Sequence, residues 1–200
     1  MKTLRLPKRT IATFGRVFAD DNASQIVEFA VSLPLLVLFV VGIFDFTGAI
    51  TLKQKLTNAA REGARVAAAD PANDLSNASG SPTPVSVLDS WQVVDNYLLS
   101  ENINDCRLGT TAPPVWSSGL TWIATATGCP GGASSSLVLT INRGCLTQEA
   151  GSSAVVYTVN TCVTILYPYS WKFSGVSGLF PGKFAGPIGI TTTAAAFNEN

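Results

Sequence analysis

The chain has 200 residues, a formal net charge of zero and 13% charged residues, well below the ~25% typical of globular proteins. It contains no histidine, which removes the commonest general base and the usual ligand of zinc sites. A neutral charge balance gives no reason to expect a nucleic-acid partner. Since no nucleophile with a base, phosphate loop or metal cage is recognisable, we expect no catalytic, cofactor-binding or metal-binding residues, no cofactor and no enzymatic activity.

The N-terminal part combines a basic leader with an apolar run of membrane length. The leader contains five cations: Lys2, Arg5, Lys8, Arg9 and Arg16. From Phe29 to Ile50 the sole charged residue is Asp45. At ~1.5 Å per residue this run is ~33 Å long, enough for a hydrocarbon core of ~30 Å. The positive-inside rule predicts a single span at about 29–50, with the N-terminus in the cytoplasm and residues beyond about 53 outside.

A glutamate stands at the edge of this apolar run. A carboxylate is costly there, so Glu28 needs a partner, and a free α-amino group just upstream is the obvious candidate. That arrangement is found where a peptidase removes the leader directly before an apolar helix. Two alternatives are a Sec signal peptide cut near Ala49 and an uncut signal anchor. Neither alternative explains Glu28.

The helical pattern continues beyond the predicted span. Apolar or small residues recur at helical spacing at Leu52, Leu56, Ala59, Gly63, Val66 and Ala67. The side chains along this seam of residues become smaller, from leucine to alanine to glycine. We therefore expect Ala59, Gly63, Val66 and Ala67 to pack closely against another element. Asp70-Pro71 ends the helix, because the residue before proline avoids the helical conformation. The sequence therefore predicts a leader at 1–23 and one helix over 24–70, ~70 Å long.

Four short blocks, in a fixed order, carry a family resemblance. They are Ser24-Gln25-Ile26-Val27-Glu28-Phe29-Ala30, Leu33-Pro34-Leu35-Leu36, Gly42-Ile43-Phe44-Asp45-Phe46 and Asn58-Ala59-Ala60-Arg61-Glu62-Gly63-Ala64-Arg65. In these blocks the chain resembles the TadE-like proteins, which are pseudopilins or minor pilins of the bacterial tight-adherence (Flp-type) pilus machinery. The resemblance covers about 45 of the 200 residues.

The resemblance implies a set of sites and partners. A prepilin peptidase would cut between Ala23 and Ser24, leaving Glu28 as the fifth mature residue; the family usually has glycine where Ala23 stands. Glu28 and Asp45 would serve assembly. Asp45 would find its partner in Lys53 or a neighbouring chain, or would contact interfacial water. Other Tad pilus subunits and inner-membrane assembly proteins would be the protein partners, beside the lipid bilayer.

The C-terminal part predicts a small α+β domain that is similar to the pilin plan. Residues 71–84 have the composition of a linker, and the domain is expected over 85–200. A second helix carries one apolar face, and Ser86 with Asp89 suggests a capping box. Residues 101–135 are expected to be loop, with one short strand near Leu120–Ala124.

Alternating residues then predict the sheet of this domain. The buried face of a long strand would carry Val155, Tyr157, Val159, Val163, Ile165 and Tyr167. Leu137, Leu139 and Ile141 predict its hairpin partner, and residues 188–194 predict a third strand. We therefore expect a long N-terminal transmembrane helix that extends into a small domain with a second helix and a 3–4-stranded antiparallel sheet.

Four cysteines, Cys106, Cys129, Cys145 and Cys162, all follow the apolar run. An even number on one side of a membrane segment indicates two disulfides in an oxidising compartment, with metal binding the weaker interpretation. Of three possible connectivities, Cys106–Cys129 with Cys145–Cys162 is favoured because each pair closes a short loop.

The leading hypothesis is therefore a structural pilus-assembly protein of the bacterial inner membrane, with its C-terminal domain periplasmic or extracellular. Whether the chain primes the pilus or is built into it stays open. The alternative is a signal-anchored periplasmic or surface domain for binding or adhesion that is not built into a filament. Leader cleavage discriminates between these hypotheses, because a simple anchor keeps residues 1–23.

Overall fold

The computed structural model describes residues 21–79, 82–110, 113–129, 135–148, 157–172 and 187–199. The elements in chain order are α1 (Asp21–Ala69), a 3-10 helix (Ala72–Asn77), α2 (Val85–Ser100), a second 3-10 helix (Leu108–Thr110) and strands β1 (Val115–Ser118), β2 (Thr121–Ala126), β3 (Leu137–Gln148), β4 (Tyr157–Tyr169) and β5 (Ile188–Phe197). Two compact units meet in sequence between Phe46 and Thr47, within α1.

The first unit consists, as described, of the N-terminal part of α1. Most of its apolar side chains from Ile26 onward are exposed, as expected of a surface made for lipid or for other helices. Pro34 lies inside the helix and cannot donate a backbone hydrogen bond. Among the described residues, α1 is the one helix long and apolar enough to cross a membrane, counted from Gln25 to Ala69.

The second unit is built on a five-stranded antiparallel sheet with strand order β1-β2-β3-β4-β5. This confirms the predicted α+β class, with a second helix and a hairpin of β3 and β4. The sheet has five strands where three or four were expected. The additional strand is β1, whose four residues are all exposed, so that no alternation of apolar residues announces it. The strand predicted near Leu120–Ala124 is β2.

The core of this unit lies between the small-residue face of α1, the inner face of the sheet and α2. On α1 the fully buried positions are Leu56, Ala59, Ala60, Ala64 and Ala67. The first four of them belong to one cluster with Val94 and Leu98 of α2 and with Leu139, Ile141, Val163 and Ile165 of the central strands. Alanine side chains keep the helix thin, so backbones approach closely while burial remains complete.

The capping box predicted at Ser86 is wrong. Ser86 is already the second residue of α2, which begins at Val85, and its side chain is fully buried. The backbone N–H of Ser86 instead donates to the Asp74 carboxylate at 3.0 Å. Asp74 belongs to the 3-10 helix within the stretch predicted to be a linker, so a carboxylate distant in sequence satisfies the helix N-terminus.

The predicted apolar face of β4 is only partly buried. Val163, Ile165 and Tyr167 lie in the core, but Tyr157 and Val159 are 59% and 57% exposed. These two side chains are exposed because α1 is shorter than the hairpin of β3 and β4. The helix ends at Ala69, and Arg143 of β3 marks that level on the sheet by its hydrogen bond to the Asp70 carbonyl. Beyond this level, no helix of the described residues covers the hairpin. Val155 lies outside the described residues.

Candidate functional site

The predicted processing site and Glu28 both lie in α1. The peptide bond between Ala23 and Ser24 is helical in the described part of the chain. Glu28 follows Ser24 by four residues, which is one turn of helix, and it is exposed. Among the described residues Glu28 makes no ion pair.

Asp45 occupies a different environment. Its side chain is 8% exposed, whereas the flanking Phe44 and Phe46 are 67% and 61% exposed. Since 17 residues of helix separate it from Glu28, the two carboxylates are ~25 Å apart along the axis. They form two separate sites along one helix, so any assembly role must be assigned to each of them separately.

The predicted packing seam is found in the second unit. Ala59, Gly63 and Ala67 are buried, while Val66 is only half-buried at the margin of the seam. At Gly63 a Cβ atom would lie 2.7 Å from Val94 Cγ2 and 3.1 Å from Ser90 Oγ. This position therefore needs glycine, because α2 crosses α1 too closely for a side chain.

The charged members of the same block point away from the core. Arg61 and Arg65 are exposed, and Arg65 Nη2 lies 2.7 Å from Glu62 Oε2, the i,i+3 pair that the spacing indicates. A pair so exposed contributes little to stability. The pattern of the block is thus small residues toward the domain and charged residues toward solvent or partners.

Both disulfides have the local pairing favoured by the sequence. Cys106 bonds Cys129 and ties the loop after α2 to the end of β2, and Cys145 bonds Cys162 across β3 and β4. No free cysteine is found in the described part of the chain. The two bonds restrain the loop and the hairpin that the second unit depends on, which agrees with an oxidising compartment.

An arginine that the sequence reasoning missed closes the C-terminal end of α1. Arg143 is 2% exposed, its Nη2 donates to the Asp70 carbonyl at 3.0 Å and its Nη1 donates to Thr161 Oγ1 at 3.3 Å. A cation is favourable at this end of a helix, where carbonyl groups lack intrahelical donors. The available signal was its place in the alternation Leu137, Leu139, Ile141, Arg143, which assigns it to the inner face.

Residues near the end of the sequence complete this network. Thr161 Oγ1 donates to Asn198 Oδ1 at 2.6 Å, and Asn198 Nδ2 donates to the Arg143 carbonyl at 3.4 Å. The backbone N–H of Glu199 donates to the carbonyl of Ala68 at 3.3 Å. The segment after β5 is thereby fixed to the last turn of α1, beside the arginine.

Burial shifts the titration of this region. Desolvation lowers the pKa of Arg143, although the carboxylates of Asp74 and Asp70 act in the opposite direction. The pKa of Asp70 is raised, first by desolvation and then by the nearby Asp89, and Arg143 offsets this only in part. The central group of the network is therefore the buried Arg143 guanidinium. The carboxylates near it, Asp70, Asp74 and Asp89, include groups that repel one another electrostatically.

No cluster of three or more metal-ligating side chains occurs within the described ranges. In the comparison with protein families, the model described as "TadE-like protein" matches residues 23–65. The match includes the predicted cleavage site, Glu28, Asp45 and the block around Gly63, and it confirms the resemblance on which those sites were assigned. No curated protein and no solved structure matches the chain.

Proposed function

Taking the TadE-like segment at residues 23–65 as the premise, we propose that this protein is a minor pilin or pseudopilin of a Tad-type pilus system. It would be anchored in the bacterial inner membrane by α1, processed by prepilin peptidase and used in pilus biogenesis without any enzymatic activity of its own. Other Tad pilus subunits and inner-membrane assembly proteins would be its partners. The observation that carries the proposal is the exposed Glu28 carboxylate, one helical turn after Ser24, at the start of an apolar helix.

The proposed role of Glu28 follows from charge neutralisation. Cleavage before Ser24 would create an α-amino group with a pKa near ~8, which is largely cationic at neutral pH. In hydrocarbon the amine and the Glu28 carboxylate would compensate each other, within one chain or between adjacent subunits. Removing one partner of such a buried pair costs about 3–5 kcal/mol. Both charges are therefore expected to matter for assembly more than for membrane insertion.

The position of the cleavage site adds a requirement. Because Ala23 and Ser24 lie within α1 as described, a peptidase would need to unwind the turn around their peptide bond to reach it. Processing is therefore expected to need local opening of this turn, while the apolar helix that follows it stays intact.

The deciding experiment determines the N-terminus of the mature protein. Mass spectrometry of membrane fractions, with the cognate prepilin peptidase present and absent, should show a chain starting at Ser24 only when the peptidase is present. The Glu28→Gln variant should insert and be cut but fail to assemble. Glu62→Gln is the matched control, since it removes a carboxylate from the same helix outside the apolar run.

The alternative function, a signal-anchored domain for binding or adhesion outside any filament, makes the opposite prediction. Such a chain would keep its leader whether or not the peptidase is present, and Glu28→Gln would leave its surface display unchanged. A start beyond about Ala49 would indicate an ordinary secreted protein. Normal pilus assembly by the Glu28→Gln variant would also refute the proposed charge pair.

A further inference from the structure

The two disulfides of the second unit differ in their surroundings. Cys106 and Cys129 are 0% and 7% exposed and belong to the hydrophobic core. Cys145 and Cys162 are only half-buried and lie outside that core. A thiol must reach a sulfur atom before it can exchange with a disulfide, and exposed disulfides are the more easily reduced ones. Of the two bonds, Cys145–Cys162 is therefore the one open to attack in the folded protein.

The Cys145–Cys162 bond lies on the face of the sheet opposite the core. Val163, the next residue on β4, is fully buried in the core, and successive side chains of a strand point to opposite faces. Cys162 stands opposite Asn142 on β3, and Cys145 stands opposite Asn160 on β4, with a register irregularity between Asn142 and Cys145. Reduction of this bond would therefore remove a cross-link without disturbing the packing of the core.

The same bond closes the end of the β3–β4 hairpin. The last four facing pairs of the hairpin join residues 145–148 to residues 157–160. Three apolar side chains of these pairs, Leu146, Tyr157 and Val159, are exposed, so little apolar burial holds this end together. Segments with few buried apolar contacts open at low cost. The disulfide is therefore a main restraint on the end of the hairpin, and its loss should loosen this end first.

The contacts of the two sulfur atoms indicate which of them is attacked. Cys145 Sγ lies 3.2 Å from the carbonyl oxygen of Asn160. A thiolate is disfavoured beside a carbonyl oxygen, so Cys145 is the poorer leaving group of the pair and Cys162 the better one. An incoming thiolate is therefore expected to attack Cys145 Sγ and to displace Cys162 Sγ.

We propose that Cys145–Cys162 is a thiol–disulfide exchange site for a protein dithiol that meets the second unit. One thiolate of the dithiol bonds to Cys145 Sγ while the Cys145–Cys162 bond breaks, and the departing Cys162 thiolate takes a proton from water. The second thiolate of the dithiol then attacks the sulfur that its own chain contributed to the mixed disulfide. Cys145 leaves as a thiolate, is protonated by water and donates its S–H to the Asn160 carbonyl.

The exchange transfers two electrons from the dithiol to the hairpin. The dithiol becomes a disulfide, the two hairpin cysteines become thiols, and the reverse reaction closes the hairpin again. Because the bond lies outside the core, the second unit stays folded in both states and only the end of the hairpin changes its stability. The inference goes beyond the proposed function, and neither leader cleavage nor pilus assembly enters it.

The test treats the full chain in mild detergent with reduced thioredoxin, labels free thiols with N-ethylmaleimide and locates the label by peptide mass spectrometry. Cys145 and Cys162 should be labelled about tenfold or more faster than Cys106 and Cys129, because a buried bond reacts only after local opening. The near-UV circular dichroism of the tryptophans should persist. Amide hydrogen exchange should rise at residues 145–148 and 157–160.

One double variant and one trap complete the test. Cys145→Ser with Cys162→Ser should show the raised exchange at the hairpin end without any reductant. A thioredoxin whose second active-site cysteine is serine should be trapped on Cys145, and trapping on Cys162 would overturn the assigned order of attack. Equal labelling rates for the two disulfides would overturn the proposal. Reduction of Cys145–Cys162 only together with loss of the tryptophan signal would also overturn it, since the bond would then react through unfolding.

Discussion

Replacing Gly63 by alanine tests a close helix contact in the second unit. The new methyl group would lie 2.7 Å from Val94 Cγ2 and 3.1 Å from Ser90 Oγ, whereas carbon atoms pack favourably at ~3.5–4.0 Å. The helices must therefore separate by up to ~1 Å, and overpacking of this kind costs ~1–3 kcal/mol. Against this, alanine is preferred over glycine inside a helix by ~1 kcal/mol. The net expectation is a loss of about 1 kcal/mol in the free energy of unfolding.

The assay is thermal unfolding of the full chain in mild detergent, followed by near-UV circular dichroism of its tryptophans, of which Trp122 is buried in the core. A loss of about 1 kcal/mol should lower the melting temperature by ~2–4 °C in a domain of this size. Gly42→Ala is the matched control, because nothing lies within 4 Å of the Cβ atom it would add. It should not lower the melting temperature.

A double mutant identifies the cause of the loss. Val94→Ala removes the methyl group that a residue at position 63 would meet, so Gly63→Ala should become neutral or stabilising in that background. The coupling between the two changes should be about 1–2 kcal/mol, within the range seen for residues in contact. An equal cost of Gly63→Ala in both backgrounds, or a gain in the otherwise unchanged protein, would refute the reasoning.

Three further predictions concern the second unit. Arg143→Met should lower the free energy of unfolding by about 3 kcal/mol, measured by the same thermal assay, because it deletes two charged hydrogen bonds of ~1.5–3 kcal/mol each; a loss below about 1 kcal/mol would exclude the capping role. Changing both Cys145 and Cys162 to serine should cost about 3 kcal/mol, given a sequence separation of 17, and an unchanged denaturant midpoint would contradict this. Burial, and next the charge of Asp105, raise the pKa of Asp95, so its ionisation destabilises the folded state as pH rises above the ordinary value of 3.8. Asp95→Asn should therefore be more stable than the unchanged protein at neutral pH, and unfolding curves across pH should show this advantage vanish below 3.8; an advantage independent of pH would exclude titration as its cause.

The parts of the fold that follow a regular period were predictable from the sequence. The seam at Ala59, Gly63 and Ala67 and the alternation in β3 each identified a buried face, because burial selects residue type at every turn or every second position. The local disulfide pairing was favoured because short loops close easily. The TadE-like blocks supplied the sites at Glu28 and Asp45, which no period indicates.

What the sequence did not predict depends on contacts between distant segments. Asp74 replaces the expected Ser86 cap because the 3-10 helix returns to the start of α2. Tyr157 and Val159 are exposed because α1 ends before the hairpin does, a length relation between two elements that neither pattern contains. Arg143 is buried against the C-terminal end of α1. Its hydrogen-bond acceptor there, the Asp70 carbonyl, lies 73 residues earlier in the chain, so the pattern of its own strand does not reveal the contact.

The position of β5 in the chain has a consequence for biogenesis. Thr57 of α1 shares a hydrogen bond with Thr192, 135 residues later, and the last turn of α1 meets Glu199. During synthesis α1 therefore emerges long before the segments that cover its alanine face exist. Closing such distant contacts is slow, and an uncovered apolar face is open to wrong partners meanwhile. We expect the growing chain to need shielding of this face, by lipid or a chaperone, until β5 has been synthesised.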